Sequence, residues 1–353
     1  MNVVGLLEQA ANGEKVAVAR LISLVERGGD AAREVVRHSR NNRDLYAVGI
    51  TGAPGAGKSS LTDRLVSEAR SSGAAQVGVI AVDPSSLFSG GAILGDRVRM
   101  QRHALDDGVF IRSMATRGHL GGLALAVPDA LGVLAIAGVS IAFVETVGVG
   151  QVEVEVASDT DTTVVVVNPG WGDSIQANKA GLLEVADVFV INKADRPGAS
   201  GTERDLDLAL DMSAAFRHGR AASANDGLQD EPWRPPIVKT VALTGDGIAD
   251  LWRAIGEHRR YLESRELLDA NRRERLGKRV REIVASRIEQ QVNQVVDAGA
   301  LDSVMPLLAE ARIDPYEAAD RIMEIARDAS QAGASASGIP REHEGTSSRG
   351  SQR

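Results

Sequence analysis

The segment from residue 52 to residue 60 reads Gly-Ala-Pro-Gly-Ala-Gly-Lys-Ser-Ser, and it constrains the fold more than any other part of the sequence. It follows an apolar run and precedes apolar residues at helical spacing, so it joins a predicted buried strand to a helix. In that setting the pattern G-x-x-x-x-G-K-[ST] is typical of the phosphate-binding loop of nucleoside triphosphatases. Its glycines let backbone N–H groups approach phosphate oxygens, and the N-terminus of the helix adds partial positive charge. The residues that we predict to bind nucleotide here are Gly52, Ala53, Pro54, Gly55, Ala56, Gly57, Lys58, Ser59 and Ser60.

Two residues of this loop carry specific chemistry. The ammonium group of Lys58 would lie against the β- and γ-phosphates, and the hydroxyl of Ser59 can ligate Mg²⁺. A second apolar run, residues 76–82, ends at Asp83, and α/β sheets bind ligands at the carboxyl ends of their parallel strands. Asp83 is therefore a candidate for the metal site, and an Asp that starts the turn before Pro84 is the alternative.

Two further acids follow along the chain. Asp96 lies in the glycine-rich segment 90–97, which could close over the γ-phosphate or be an ordinary loop. Residues 145–148 read Glu-Thr-Val-Gly, where GTPases usually have D-x-x-G, whose acid holds Mg²⁺ through water and whose glycine amide senses the γ-phosphate. The catalytic candidates are Lys58, Asp96 and Glu145, and the metal candidates are Ser59, Asp83, Asp96 and Glu145.

The position of the nearest glutamine bears on the rate of hydrolysis. Gln151 lies three residues beyond Gly148, whereas a water-positioning glutamine would follow the glycine directly. Gln151 is therefore a poor candidate for that role, and we predict slow intrinsic hydrolysis.

Residues 192–195 read Asn-Lys-Ala-Asp at the end of the apolar run 185–191, and N-K-x-D is typical of guanine recognition. The Asp195 carboxylate would accept hydrogen bonds from the N1–H and N2 amino groups of guanine. Adenine lacks those donors and would leave the carboxylate unpaired, at a cost of roughly a few kcal/mol. The loop 244–247 follows the last predicted strand, where GTPases contact guanine O6 through the backbone. The residues that we predict to read the base are Asn192, Lys193, Asp195 and Thr244.

The alternation of apolar runs with helical patterns predicts an α/β fold, namely a P-loop NTPase with a mainly parallel central sheet flanked by helices. Apolar residues at helical spacing between residues 266 and 296 predict a long C-terminal helix that pairs with another helix, in the same chain or in a second subunit. The predicted parts are an N-terminal helical extension, a nucleotide-binding domain, a C-terminal helical arm and a disordered tail, at residues 1–41, 42–264, 265–328 and 329–353.

Composition narrows the function classes. A formal net charge of −8 and an aromatic content of 3% disfavour nucleic-acid binding. The absence of cysteine excludes disulfides and thiolate metal sites. The N-terminus lacks the layout of a signal peptide, and the apolar stretch 120–144 is interrupted by Pro128, Asp129 and several glycines, so it does not read as a membrane span. We expect a cytoplasmic protein with neither a nucleic-acid partner nor a membrane partner.

The segments G-A-P-G-A-G-K-S-S, A-V-D-P-S-S, E-T-V-G-V-G-Q and N-K-A-D together resemble the family of GTPases associated with methylmalonyl-CoA mutase, some members of which have been labelled arginine/ornithine transport kinases. The resemblance implies a SIMIBI-class G domain, GTP or GDP with Mg²⁺ as ligands, and a homodimer formed by a C-terminal arm. It also implies a chaperone that assists cofactor loading and protection of an adenosylcobalamin-dependent acyl-CoA mutase. Gln176 and Lys179 match the pair that couples nucleotide state to the partner in that family.

Two other functions remain open at this stage. A kinase or transport ATPase of the arginine/ornithine transport type would use ATP, against which the N-K-A-D segment argues, and no second phosphoacceptor site is visible. A metallochaperone GTPase of the urease- or hydrogenase-maturation kind usually carries His-rich or Cys/His sites, whereas the six histidines here are scattered without ligand spacing.

Overall fold

The computed structural model describes most of the chain, namely residues 2–39, 44–83, 100–103, 105–115, 122–146, 159–170, 180–221 and 232–336. The chain divides into two compact units, residues 1–278 and residues 279–353. The first unit contains every strand described below.

Seven strands form one parallel sheet at the centre of the first unit. In chain order they are β1 (Tyr46–Gly52), β2 (Val77–Asp83), β3 (Val109–Ala115), β4 (Ile141–Thr146), β5 (Thr162–Val167), β6 (Val188–Asn192) and β7 (Ile237–Thr240). Their order across the sheet is β3-β2-β4-β1-β5-β6-β7. The prediction of a mainly parallel central sheet is confirmed.

The central strands are apolar runs because helices cover both faces of the sheet. β1, β4, β5 and β6 are buried at every residue. Neighbouring residues of one strand enter different cores: Phe143 packs in one cluster, and Ala142 and Val144 pack in the other. A strand that is buried on both sides has no need of alternating polar residues, which explains the four consecutive valines of β5.

The helices of the first unit divide between the two faces. In chain order they are α1 (Val3–Ala11), α2 (Lys15–Arg27), α3 (Gly29–Ser39), α4 (Lys58–Ser71), α5 (Gly122–Ile136), α6 (Ala180–Val185), α7 (Ala199–Ala221) and α8 (Ile248–Ser264). Helices α4 and α8 share one core, while α5 and the three N-terminal helices share the other. The three N-terminal helices are therefore part of the hydrophobic core of the first unit.

The strand order places a topological switch point at β1. This strand pairs with β4 on one side and with β5 on the other, and the chain leaves it through α4 towards β2. In open α/β sheets, ligands bind outside the carboxyl ends of the strands at such a point. The predicted phosphate-binding loop, which joins β1 to α4, lies there.

A long helix, α9 (Leu267–Val295), begins in the first unit and continues into the second. It is followed by a π-helical turn (Val296–Ala300), α10 (Leu301–Ala309) and α11 (Pro315–Ala336). Helix α11 extends past residue 329, where the predicted tail begins, because its last turns are rich in alanine, a strong helix former. No helix in the described ranges is long and apolar enough to cross a membrane.

Candidate nucleotide-binding site

The carboxyl ends of four strands bring the predicted site residues to one edge of the sheet. Gly52, Asp83 and Asn192 are the last residues of their strands, and Glu145 is the last but one of β4. The register pairs Ile50 with Glu145, so the acid lies beside the start of the phosphate-binding loop. Parallel pairing therefore collects residues that are more than ninety positions apart in the sequence.

Glycine is required at two positions of the phosphate-binding loop. Gly52 has φ +135°, and a Cβ atom there would lie 2.0 Å from the carbonyl oxygen of Val166. Gly57 has φ +90°, and a Cβ atom there would lie 2.4 Å from Nδ2 of Asn192. Both are left-handed backbone conformations that favour glycine. The loop therefore lies against β5 and the base-reading segment more closely than a side chain would allow.

Gly57 also caps α4 and leaves the first turn of that helix available for a ligand. The cap has no side chain with which to accept from the first N–H groups of the helix. These groups have no acceptor within an α-helix, and together with the helix dipole they favour a bound phosphate. The loop thus fits a di- or triphosphate.

Lys58 lies within the loop that precedes it. Its Nζ atom donates to the carbonyl oxygen of Gly52 at 2.6 Å and to that of Ala53 at 3.2 Å, and the residue is only 6% exposed. The ammonium group is therefore fixed close to the loop backbone that would surround a phosphate. The contact of Lys58 with phosphate stays a prediction.

Ser59 and Glu145 are brought into direct contact. The Ser59 hydroxyl donates to Oε1 of Glu145 at 2.5 Å, and both residues are buried. Beside them, Thr146 donates to the hydroxyl of Thr51 at 3.2 Å, which ties the end of β4 to the end of β1. Hydroxyl and carboxylate oxygens are the ligands that Mg²⁺ prefers, so this pair fits a magnesium site.

The other predicted metal and coupling residues are only partly described. The backbone of Asp83 ends β2 beside β4, but its side chain lies outside the described part of the structure. Asp96, Gln176 and Lys179 lie outside the described residues, as does Gln151. Their assignments remain predictions.

Asn192 joins three segments of the site. Its Nδ2 donates to the carbonyl oxygen of Ala56 at 2.7 Å. Its Oδ1 accepts from the hydroxyl of Thr240 at 3.2 Å and from the N–H of Ala242 at 3.1 Å. Because Asn192 is only 2% exposed, loss of these bonds would leave polar groups buried without partners. The residue therefore fixes the phosphate-binding loop to the loop that follows β7.

Lys193 adopts an unusual backbone conformation that serves the same junction. It has φ +59°, one of three non-glycine residues with positive φ in the described structure. Its Nζ donates to the carbonyl oxygen of Gly55 at 2.6 Å, so its long side chain spans the space between the base-reading segment and the phosphate-binding loop. Backbone strain of this kind is found where the surroundings hold a functional geometry.

Asp195 and Thr244 have different surroundings. The Asp195 side chain is exposed, and within the described ranges it has no hydrogen-bond partner, so its carboxylate is accessible to a base. The Thr244 hydroxyl lies 2.7 Å from Oδ2 of Asp246 and 3.2 Å from the carbonyl oxygen of Val241. The Thr244 hydroxyl therefore makes its hydrogen bonds within its own loop. A contact between Thr244 and the base would have to come from the backbone.

One residue at this site gave no signal in the sequence. Arg64, on α4, donates to the carbonyl oxygens of Ala242 at 2.9 Å and of Leu243 at 2.5 Å. These residues lie 178 and 179 positions further along the chain. An isolated arginine on a charged helix face follows no pattern that would have revealed this contact.

A separate cluster of titratable side chains lies at the opposite, amino edge of the sheet. Burial opposes ionisation of Asp161, but hydrogen bonds and charge from Arg272 and Arg275 of α9 outweigh it and hold the pKa of Asp161 below its ordinary value. Burial raises the pKa of Asp187 to about 7 and lowers the pKa of His258 to about 4. Asp161 anchors the start of α9, and the whole cluster lies apart from the nucleotide edge.

Known proteins of similar sequence identify the family of this chain. The family described as methylmalonyl-CoA mutase-associated GTPase MeaB matches residues 18–297. A protein of Pyrococcus abyssi that is named as a GTPase is 49% identical over 320 residues, which cover 90% of this chain and 95% of the relative. The methylmalonic aciduria type A homolog of Caenorhabditis elegans, named as mitochondrial, is 30% identical over 278 residues, covering 72% of this chain and 67% of the relative.

A solved structure shows the same fold. The crystal structure of an LAO/AO transport system kinase aligns with a TM-score of 0.65 at 22% identity and covers 92% of this chain and 97% of that chain. The sequence match extends over most of the first unit and reaches into the second. The chain belongs to the MeaB family of methylmalonyl-CoA mutase-associated GTPases, P-loop proteins that bind guanine nucleotide and hydrolyse GTP.

Proposed function

We propose that this protein is a GTP-hydrolysing chaperone that assists cofactor loading and protection of an adenosylcobalamin-dependent acyl-CoA mutase, with methylmalonyl-CoA mutase as the client. The family description and the name of the Caenorhabditis elegans relative support this assignment. The observation that carries the nucleotide part is the convergence of Lys58, Ser59 and Glu145 with Asn192 and Lys193 at one edge of the sheet.

The phosphate half of the site has an oxygen-rich metal position. Ser59 and Glu145 would hold Mg²⁺, and Asp83 and Asp96 complete the proposed set. Bound there, Mg²⁺ would supply positive charge that offsets the charge developing on the β- and γ-phosphates during hydrolysis. Lys58 binds the same phosphates through its ammonium group, and the N–H groups of the first turn of α4 orient them. Lys58, Glu145 and Asp96 are the proposed catalytic residues, and the intrinsic rate is slow.

The base half of the site selects guanine. Asp195 accepts from the N1–H and N2 amino groups of the base, while Lys193 lays its aliphatic stem along the ring. Asn192 holds both loops in place through its three hydrogen bonds. Rejection of adenine comes from the carboxylate of Asp195, which adenine would leave without donors.

The decisive experiment measures GTP and ATP hydrolysis by the purified protein, with and without methylmalonyl-CoA mutase. We expect slow GTP turnover that rises when the mutase is added. If the mutase does not change the rate of GTP hydrolysis, methylmalonyl-CoA mutase is not the client, but the assignment of the guanine site is unaffected. A preference for ATP would contradict the role of Asp195.

We also propose that the protein is a homodimer formed through α9. Four apolar side chains spaced four residues apart on this helix are 47–60% exposed: Leu276, Val280, Val284 and Ile288. A continuous exposed apolar stripe on a long helix favours pairing with a second helix.

Gln176 and Lys179 are the proposed residues that couple nucleotide state to the mutase. The cytoplasm is the proposed compartment, with no nucleic-acid or membrane partner.

Light scattering of two matched variants tests the dimer. Val284→Asp places a charge within the stripe and should give a monomer. Ser286→Asp introduces the same residue two positions further on, about 200° around the helix from Val284 and away from the stripe, and should leave a dimer. A wild-type protein that elutes as a monomer, or a Val284→Asp variant that remains dimeric, would refute the proposal.

A further inference from the structure

Arg64 links the helix that follows the phosphate-binding loop to the loop that follows β7. Its Nε donates to the carbonyl oxygen of Ala242 at 2.9 Å, and its Nη2 donates to that of Leu243 at 2.5 Å. A Cβ atom built on Gly245 would lie 3.8 Å from its Nη1. The guanidinium group therefore lies against the loop and holds two consecutive carbonyls with its fixed fork of donors.

Packing does not hold this part of the loop in place. Ala242 is buried, but the Leu243 side chain is 85% exposed and Thr244 is also exposed. The loop is a tight turn in which the N–H groups of Thr244 and Gly245 return to the carbonyl oxygen of Val241. The position of Leu243 therefore depends on its hydrogen bonds, and the bond that its own carbonyl makes is to Arg64.

The peptide unit between Ala242 and Leu243 contains the group of interest. The described chain has no cis peptide bond, and in a planar trans unit the C=O and N–H groups point in opposite directions. Since Arg64 holds the carbonyl oxygen of Ala242, it also fixes the direction of the Leu243 N–H. That N–H has no acceptor among the described residues, whereas the preceding N–H, of Ala242, donates to Asn192.

We infer that Arg64 is a specificity-determining positioning residue, which directs the backbone N–H of Leu243 towards O6 of a bound guanine. This inference rests on the guanine site proposed above and names the donor that reads the 6-position. The carbonyl of the same peptide unit accepts a charge-assisted hydrogen bond, which polarises the unit and strengthens the N–H as a donor. Arg64 touches neither the base nor the phosphates and acts only through the loop.

The test compares GDP with its 6-thio analogue, which keeps the N1–H and N2 amino groups but replaces O6 with a weaker acceptor. Affinities are measured by displacement of a fluorescent GDP from wild-type protein and from Arg64→Ala, Arg64→Lys and Arg70→Ala variants. Arg70 lies on the same helix and also donates to two carbonyl oxygens, those of Ala74 and Ala75, at the far end of that helix. It therefore controls for the loss of an arginine from α4.

We expect wild-type protein to prefer GDP over 6-thio-GDP by roughly fivefold to tenfold, the value of one neutral hydrogen bond. In Arg64→Ala that ratio should fall to about one, because GDP loses affinity and the analogue changes little. Lysine at position 64 can donate to one carbonyl oxygen, so Arg64→Lys should have an intermediate ratio. This variant also keeps the test valid if Arg64→Ala does not fold. Arg70→Ala should keep the wild-type ratio.

Inosine diphosphate separates this inference from the function on which it rests. It lacks the N2 amino group that Asp195 would accept from, so the preference for GDP over IDP should be the same in wild type and in Arg64→Ala. Equal loss of affinity for GDP and for 6-thio-GDP in both Arg64 variants would show that Arg64 has a purely structural role and would overturn the inference. If those variants still prefer GDP over ADP, the guanine site itself remains supported. A wild-type protein that does not distinguish GDP from ADP would overturn both.

Discussion

Replacement of Gly57 by alanine tests the close approach of the phosphate-binding loop to Asn192. The new Cβ would lie 2.4 Å from Nδ2 of Asn192, and the residue would keep φ +90°. A left-handed conformation costs a non-glycine residue about 1–2 kcal/mol. Displacement of Asn192 would also break its 2.7 Å bond to the carbonyl oxygen of Ala56, and a buried group left without its partner costs about 1–3 kcal/mol. We therefore expect a total loss of about 2–5 kcal/mol, shared between folding and GDP binding.

Gly55→Ala provides the matched control. Gly55 lies in the same loop and also has a positive φ, +72°, but a Cβ atom there would meet nothing within 4 Å. This variant carries the conformational strain without the collision with Asn192. The difference between the two variants therefore isolates the collision, at about 1–3 kcal/mol, or about fivefold to 150-fold in a dissociation constant.

Two measurements on each variant give the comparison. Urea denaturation without nucleotide gives the free energy of unfolding, and titration with a fluorescent GDP gives the dissociation constant. For each variant, the loss of unfolding free energy is added to the loss of GDP-binding free energy. The sum should be larger for Gly57→Ala than for Gly55→Ala by about 1–3 kcal/mol. If the two variants lose equal free energy, Asn192 is not held against the loop and the proposed junction between phosphate and base subsites is wrong.

Three other variants test separate parts of the site and the fold. Asp195→Asn should weaken GTP and GDP together by about tenfold or more, and unchanged GTP binding by calorimetry would contradict the base assignment. Ser59→Ala should lower GDP affinity in Mg²⁺ but leave it equal to wild type in EDTA, and a loss of the same size in both buffers would exclude a metal role. Asp187→Asn should stabilise the protein more at about pH 8 than at about pH 5. The pKa of this carboxyl is raised to about 7 in the folded protein, so the folded state binds the proton more tightly than the unfolded chain does. The free energy of unfolding of the wild type therefore falls as the pH rises towards that value, and asparagine removes this loss. The side chain is 30% exposed, so only the direction is predicted, and urea denaturation at the two pH values would contradict it if the gain were equal or reversed.

The parts of the molecule that the sequence predicts are those that local patterns determine. The apolar runs predict central strands such as β1 and β6, since a strand covered on both faces must be apolar along its length. The meeting of Ser59 and Glu145 also follows from their motifs, because both are predicted ligands of one magnesium site, whose oxygen ligands must lie close together. Neither inference requires knowledge of side-chain positions.

Contacts between residues that are far apart in the chain and carry no motif could not be predicted. The bonds from Arg64 to the loop after β7, and from Arg272 to Asp161, join side chains whose neighbours show no special spacing. The surroundings of the Thr244 side chain could not be predicted either. Its hydroxyl lies beside Asp246, two residues away, and such local bonds are common in turns, while the predicted base contact of this loop through its backbone stays a prediction.

The cross-links at the nucleotide edge imply that the two halves of the site act as one unit. Asn192 and Lys193 donate to carbonyl oxygens of the phosphate-binding loop, and Arg64 donates from the following helix to the loop after β7. The elements that read the base are thus tied to the elements that bind phosphate by the protein's own hydrogen bonds. A site held in this way loses less conformational freedom when it binds a nucleotide. It follows that substitution of Asn192 or Lys193, which donate directly to the phosphate-binding loop, should also weaken phosphate binding, and that the two substitutions together should not be additive.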